Sequence, residues 1–217
     1  MLRSALIGAL LGLALAGKAN AEPMQGSSIA QAISDSGVDE NTADWLLAKA
    51  WIETRLNPHK INRGDGPAGK KAAERLKSEG RLPDCRPDHE YAFTGGAWQI
   101  MPAIFLVVAY PEDEQMLCAS PTIVLDPRES LAMVLAYAGK LQKWASYRAD
   151  PTWETLWLGF QSPSFMANRS STRAQKSLSN MRKGLAHVGR SDLADKTPPS
   201  FPASGEFWRQ RILGASA

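Results

Sequence analysis

Hydrophobic residues recur every three to four positions along most of the chain, which is the spacing of one face of an α-helix. The clearest predicted helix begins after Asp126-Pro127, where an N-cap residue precedes proline at the first helical position. The apolar positions of its predicted core face are Leu131, Val134, Leu135, Ala138, Leu141 and Trp144. No long alternation of apolar and polar residues, which would indicate a strand, interrupts this pattern. The chain is therefore predicted to be mostly α, with little or no sheet.

Helix start and stop signals bound the other predicted helices. These helices are expected near Ser27–Ser36, from Asn41-Thr42 to Asn57-Pro58, from Pro67 to Gly80, after Pro102, after Asp150-Pro151, and over Arg173–His187. The proline-rich stretch Thr197–Gly205 is predicted to be a stiff linker. It leads to an amphipathic tail over Glu206–Leu213, whose Trp208 would dock either on the domain or on a partner.

The first 21 residues have the features of an export signal. Arg3 precedes an apolar run of 12 residues, Ala5–Ala16, and the small-residue pattern Ala19-x-Ala21 follows. The run is shorter than the roughly 20 apolar residues that span a membrane, although an uncleaved anchor is the alternative. We therefore expect cleavage near Ala21 and a periplasmic or secreted protein. The remaining chain is predicted to form one domain over residues 22–190, with the linker and tail over 191–217.

Composition and charge exclude several classes of protein. Hydrophobic residues make up 44% of the chain and charged residues 22%, as in globular proteins and unlike disordered ones. Without Arg3 and Lys18 of the leader, 23 basic residues face 22 acidic ones, which gives no reason to expect a nucleic-acid partner. The three histidines are scattered along the chain, so neither a metal site nor a cofactor is predicted.

Cys85 and Cys118 are the only cysteines of the chain. In an oxidising compartment they are expected to form one disulfide, which would close a 34-residue loop. The alternative is two separate thiols.

Glu53 is the leading candidate for a catalytic group. It falls in the last turn of the predicted second helix, on the same stripe as Leu46 and Ala50, and several bulky apolar residues surround it. Partial burial of a carboxyl at such a position favours its protonated, acid-donating form. The alternative is structural, because Lys49 lies four residues earlier and could simply pair with Glu53.

Five motifs occur in a characteristic order along the chain. They are Glu53-Thr-Arg-Leu-Asn57-Pro58, Gly95-Gly-Ala-Trp-Gln99-Ile-Met-Pro102, Leu125-Asp-Pro127, Tyr137-Ala-Gly-Lys-Leu141 and Leu158-Gly-Phe160-Gln161-Ser-Pro163. Together they resemble the soluble lytic transglycosylase (SLT) domain, a relative of goose-type lysozyme in glycoside hydrolase family 23. That family carries E-S-x-F-N-P, G-x-x-Q-I-M-P, D-P, a helix with Y-L, and A-Y-N-A-G-P. The resemblance covers about Asp35 to Gly189, most of the chain after the leader.

The resemblance implies a lysozyme-like helical domain that cuts peptidoglycan strands between N-acetylmuramic acid (MurNAc) and N-acetylglucosamine (GlcNAc). Glu53 would protonate the linking oxygen and then take a proton from the muramyl C6 hydroxyl, which yields a 1,6-anhydro product. The 2-acetamido group of the sugar assists, so a second protein carboxylate is not required. Gln99 would hydrogen-bond to the sugar, and Met101 would pack beside it unless it is core filler.

Several positions depart from the family pattern or are assigned less firmly. Asn62 stands where the family has a serine that holds the acetamido group. Phe160-Gln161 replaces Tyr-Asn, so the phenol that bonds the catalytic glutamate in the family is missing. Tyr137 would either supply a hydroxyl instead or be a core tyrosine. Trp98, next to Gln99, is expected to stack on a sugar ring.

The segment 63–94 is an unusual insertion between the first two motifs. It holds Asp84, Asp88 and Glu90, one of which could be a second carboxylate in a hydrolysing muramidase. These charges would otherwise form a solvated loop. A further alternative is a wall-binding assembly protein that is catalytically weak or inactive. Peptidoglycan strands are the expected partner of a monomeric protein, and by analogy the wall would be opened for a secretion or conjugation machine.

Overall fold

The computed structural model describes residues 23–214, so the predicted export signal lies outside the described residues. Within this part of the chain 66% of residues are helical and 3% are in strands. The prediction of a mostly α protein with very little sheet is therefore confirmed. None of the described helices is long and apolar enough to cross a membrane.

Eleven α-helices and one short two-stranded sheet occur in the described residues. The helices are α1 (Pro23–Ser36), α2 (Glu40–Thr54), α3 (Gly66–Ser78), α4 (Pro102–Ala109), α5 (Glu114–Leu117), α6 (Pro127–Leu141), α7 (Ala145–Ala149), α8 (Trp153–Gln161), α9 (Pro163–Ala167), α10 (Thr172–His187) and α11 (Gly205–Gly214). The strands are β1 (Ile61–Asn62) and β2 (Thr94–Gly95), which pair antiparallel with Ile61 opposite Gly95. Short 3-10 turns cover Arg63–Asp65, Asp88–Tyr91, Pro121–Leu125 and Ser191–Leu193.

Local capping chemistry explains where the helices begin. The Asp126 carboxylate accepts hydrogen bonds from the backbone N–H groups of Arg128 and Glu129, and Pro127 follows as the first helical residue, as predicted. Helix α2 is capped by Asp39 and not by Asn41-Thr42, because the Asp39 carboxylate accepts from the Thr42 N–H at 3.0 Å.

The core face predicted for α6 is correct up to Leu141, where the helix ends. Trp144 lies beyond this end and is 40% exposed, so its predicted core position is wrong. The helical spacing could not reveal this, because the same apolar residue fits the period whether or not the helix continues.

Helix α2 is largely buried and is held by two neighbours. Its Trp45 packs on Trp153 and Trp157 of α8, with ring centroids 5.1 and 6.1 Å apart. Gly184 of α10 lies so close that a Cβ there would sit 2.8 Å from the Ala48 carbonyl oxygen. This close packing fixes the C-terminal end of α2, where Glu53 is located.

The insertion over 63–94 folds against the rest of the domain and carries α3 between the two strands. The predicted disulfide between Cys85 and Cys118 is present and ties the insertion to the end of α5, with the two Cα atoms 5.7 Å apart. The C-terminal segment packs on the same body. Phe201, Trp208 and Ile212 are buried, and the Arg209 guanidinium pairs with the Glu129 carboxylate of α6 at 2.9 Å. Trp208 thus docks on the domain.

Candidate active site

A cleft of about 460 Å³ opens at the C-terminal end of α2. It gathers residues from the first, second, fourth and fifth sequence motifs into one place. Of the predicted site residues, those that line it are Glu53, Trp98, Gln99, Met101, Tyr137, Phe160 and Gln161.

The backbone after Glu53 turns away sharply. Arg55 and Leu56 both adopt left-handed conformations, with φ of 58° and 65°, at a cost of roughly 1–2 kcal/mol per residue. The turn is held by Thr54, whose hydroxyl lies 2.9 Å from the Ala50 carbonyl oxygen and 3.1 Å from that of Ala97. Because Ala97 lies next to Trp98-Gln99, the threonine joins the end of α2 to the Gln99 loop.

The Glu53 carboxylate is held through one oxygen. Its Oε1 accepts hydrogen bonds from Lys49 Nζ at 3.1 Å and from Gln161 Nε2 at 2.9 Å. Its Oε2 makes no hydrogen bond with any residue of the described range 23–214. The side chain is 22% exposed, so the second oxygen remains available to a bound molecule.

The alternative to a catalytic role for Glu53 is an ion pair with Lys49, and this ion pair is present. The Lys49 side chain is only 3% exposed, and its Nζ lies 4.6 Å from the Trp157 ring centroid and 5.3 Å from that of Phe160. A buried ammonium needs such partners because it has lost its hydration.

Gln161 supplies the hydrogen-bond donor that the motif comparison counted as lost. Its amide reaches Glu53 from the end of α8, while the neighbouring Phe160 ring packs on Tyr137 at 5.3 Å and on Trp45 at 5.5 Å. The expectation that Glu53 lacks a donor on this side is therefore wrong, because an amide one residue later reaches the carboxylate in place of the phenol.

Tyr137 does not donate to Glu53. It is buried in the cleft wall against Phe105, with ring centroids 4.6 Å apart, and burial raises the pKa of its hydroxyl to about 12. Of the two possibilities left open for Tyr137, the packed tyrosine is the one observed.

Gln99 and Met101 lie in the cleft as expected. Gln99 has φ 49° and uses its side-chain NH₂ to donate to the carbonyl oxygens of Lys60 and Gly96, at 3.0 and 3.1 Å. Strained non-glycine residues of this kind cluster at functional sites. The Gln99 carbonyl oxygen lies 3.4 Å from the Thr94 hydroxyl, which is closer to Asp65 Oδ2 at 2.9 Å. Met101 is half-buried at the start of α4.

Two predicted ligand contacts are corrected by their positions. Trp98 is 1% exposed, and its indole N–H donates to the Leu46 carbonyl oxygen at 3.0 Å, so its ring cannot present a face to a sugar. Asn62 does not line the cleft. Its side chain caps the 3-10 turn Arg63–Asp65 instead, accepting from the Gly64 N–H and donating to Asp65, both at 2.9 Å.

Asp65 is the cleft residue that the motif comparison missed. Its Oδ2 accepts hydrogen bonds from Asn62 Nδ2 and from the Thr94 hydroxyl, both at 2.9 Å, and it lines the same cleft as Glu53. The available signal was the short polar turn Asn62-Arg-Gly-Asp65 before the predicted start of α3.

The three carboxylates that the sequence suggests for a second catalytic carboxylate lie outside the cleft. Asp84 and Asp88 both pair with Lys77 at 2.7 Å, Glu90 pairs with Arg86 at 3.2 Å, and none of the three lines the cleft. Across residues 23–214, no group of His, Cys, Asp and Glu side chains is arranged to hold a metal ion.

Comparison of the chain with protein-family models, with curated proteins and with solved structures finds no match.

Proposed function

We propose that this protein is a lysozyme-like lytic transglycosylase that cuts the MurNAc–GlcNAc β-1,4 bond of peptidoglycan. The observation that carries the proposal is the Glu53 carboxyl, which is held through Oε1 and has Oε2 free beside a cleft of about 460 Å³. The meeting of four sequence motifs at this one cleft supports it further. The predicted export signal would bring the protein to the compartment that contains the wall, and a secretion or conjugation machine would be its partner there.

The geometry suits the two proton transfers of this reaction. In the first, a protonated Glu53 gives its proton from Oε2 to the glycosidic oxygen as the bond from that oxygen to C1 breaks, assisted by the sugar's acetamido group. Negative charge then develops on the carboxylate, where Lys49 and Gln161 already donate to Oε1. In the second transfer, the C6 oxygen bonds to C1 and its proton returns to Glu53. The same two donors hold the carboxylate in place for both steps.

Asp65 favours one alternative reaction at the same cleft. A second carboxylate on the opposite side of a bound sugar could activate water, and the protein would then be an inverting muramidase. Asp65 is the carboxylate of the insertion that lines the cleft with Glu53, and two hydrogen bonds fix its Oδ2.

Digestion of purified sacculi, with mass spectrometry of the products, tests these reactions. Wild-type protein should release muropeptides that end in 1,6-anhydro rings, and Glu53→Gln should abolish the release because the amide cannot donate and recover a proton. The muramidase would instead give products that are one water heavier and carry reducing ends. It would also lose activity in Asp65→Asn. Equal trace release by wild type and Glu53→Gln would contradict both reactions and favour a wall-binding protein without turnover.

A further inference from the structure

A second, smaller cavity of about 250 Å³ adjoins the active-site cleft. Both cavities are lined by Glu53 and Gln161, so the two meet at these residues and together form a groove beside the Glu53 carboxyl. The second part of the groove runs between the end of α2, helix α8 and the first half of α10.

The lining of this second cavity has a clear chemical character. Ile52, Trp157 and Phe165 form its apolar surface, and Arg173 and Lys176 of α10 form a basic edge. Glu53 is its only carboxylate among the described residues, and its Oε1 is already paired with Lys49.

Arg173 and Lys176 are not used by the fold. Both side chains are exposed, and neither forms an ion pair with any part of the chain that the structure describes. By contrast, Arg169 just before α10 and Arg182 within it both pair with the Glu154 carboxylate. Positions 173 and 176 are three residues apart, so they lie on the same face of the helix and point their charges to the same edge.

Ser177 and Asn180 extend this edge with neutral polar groups. The Ser177 hydroxyl oxygen accepts a hydrogen bond from the Trp157 indole N–H at 2.9 Å, which leaves its own proton free to donate. The cavity thus offers a guanidinium, an ammonium and a hydroxyl donor above an apolar surface. This set suits a carboxylate carried on an amino acid, because the guanidinium can bind a carboxylate with two parallel hydrogen bonds.

We propose that this part of the groove binds the carboxylates of the peptide stem attached to the muramyl sugar at the cleavage site. The inference rests on the proposed function and names its substrate class, strands that still carry their peptides. The MurNAc–GlcNAc backbone of such strands is uncharged, so the stem is the part whose charge complements Arg173 and Lys176. Because the cavity adjoins Glu53, a stem bound there would help to place the scissile bond at the carboxyl.

Binding and cleavage are measured on two sets of soluble glycan strands, one with stems and one stripped of them by an amidase. Binding is measured by calorimetry in the Glu53→Gln background, which prevents turnover during the titration. Arg173→Ala/Lys176→Ala should bind stem-bearing strands about 10-fold more weakly and bind stripped strands unchanged. Lys143→Ala/Arg148→Ala removes two exposed charges that line neither cavity, and it should change neither affinity.

The outcomes separate this inference from the proposed function. If Arg173→Ala/Lys176→Ala binds stem-bearing strands as tightly as the parent protein does, the inference is overturned. An equal loss on both strands also overturns it, because stripped strands carry a free lactyl carboxylate that would then be the bound anion. If the wild type cleaves strands but the protein binds stem-bearing and stripped strands equally tightly, the proposed function stands and the stem site is rejected. Stem-dependent binding without cleavage would reject the enzyme and retain the site.

Discussion

Glu53 and Lys49 depend on each other at the level of single side chains. The lysine is almost fully buried between aromatic rings, and the glutamate is the only carboxylate that pairs with it in the described structure. Removal of one member of a buried pair leaves the other charge desolvated, which destabilises a protein by several kcal/mol. The proposed catalytic group is therefore also a structural one.

This dependence predicts different stabilities for two Glu53 variants. Glu53→Ala should lower the free energy of unfolding by about 2 kcal/mol, less than for a fully buried pair because Glu53 is 22% exposed. Glu53→Gln should lower it by less than about 1 kcal/mol, since the amide oxygen still accepts from Lys49. Urea unfolding of both variants measures the difference. Equal midpoints would show that the pair does not contribute to folding.

Gln161 should matter for activity and not for folding. Gln161→Leu keeps most of the side-chain volume but removes the donor to Glu53, so we expect the rate on sacculi to fall about 10-fold or more. Gln210→Leu is the matched control, because Gln210 donates to the Glu206 carboxylate on the exposed surface of α11. Full activity in Gln161→Leu would contradict the role given to this amide.

At the scale of elements, the position of the cleft depends on how closely α10 packs on α2. A Cβ at Gly184 would lie 2.8 Å from both the Ala48 carbonyl oxygen and the Ile52 Cγ1 atom. The backbone oxygen cannot move independently of α2, so a larger residue must separate the two helices. Ile52 is adjacent to Glu53, which links this packing directly to the site.

Gly184→Ala is therefore expected to destabilise the protein by about 1–3 kcal/mol and to lower activity more than stability alone explains. Gly214→Ala is the control. Its Cβ would meet nothing within 4 Å, and we expect a change below about 0.5 kcal/mol. Two measurements test this: thermal unfolding of both variants, and the rate of sacculus digestion at a temperature where both are folded. A folded Gly184→Ala with wild-type activity would show that the spacing of α2 and α10 does not control the site.

At the scale of the whole molecule, the C-terminal segment belongs to the folded body. Gly139 of α6 packs against the backbone around Phe201, and the Trp208 indole N–H donates to the Pro202 carbonyl oxygen at 2.9 Å. The proline-rich stretch predicted to be a linker thus lies against the domain, and α11 covers α6 and α1.

Truncation after Lys196 tests this. It would expose the core surface now covered by Phe201, Trp208 and Ile212, and burial of each such side chain stabilises a protein by roughly 1.5–3 kcal/mol. This total approaches the whole stability of a typical domain, so the truncated chain should lose cooperative unfolding and its near-ultraviolet circular dichroism. A sharp transition in the truncated chain would show that α11 is dispensable.

Features encoded within a few neighbouring residues were predictable from the chain alone. The start of α6 follows from Asp126-Pro127, Glu53 was placed correctly in the last turn of α2, and the disulfide follows from the presence of only two cysteines. Each of these depends on local capping, on a helical period or on a pairing without competitors, and none requires knowledge of distant packing.

Contacts between distant segments could not be predicted in this way. Gln161 reaches Glu53 across 108 residues, Asp65 and not Asp84 enters the cleft, and Trp98 is buried although it adjoins Gln99. A helical period states which residues share a face, but it does not state which other segment that face meets. The contact of Gln161 with the Glu53 carboxylate, and the lining of the cleft around it, therefore arise from the packing of α2, α8 and the two strands.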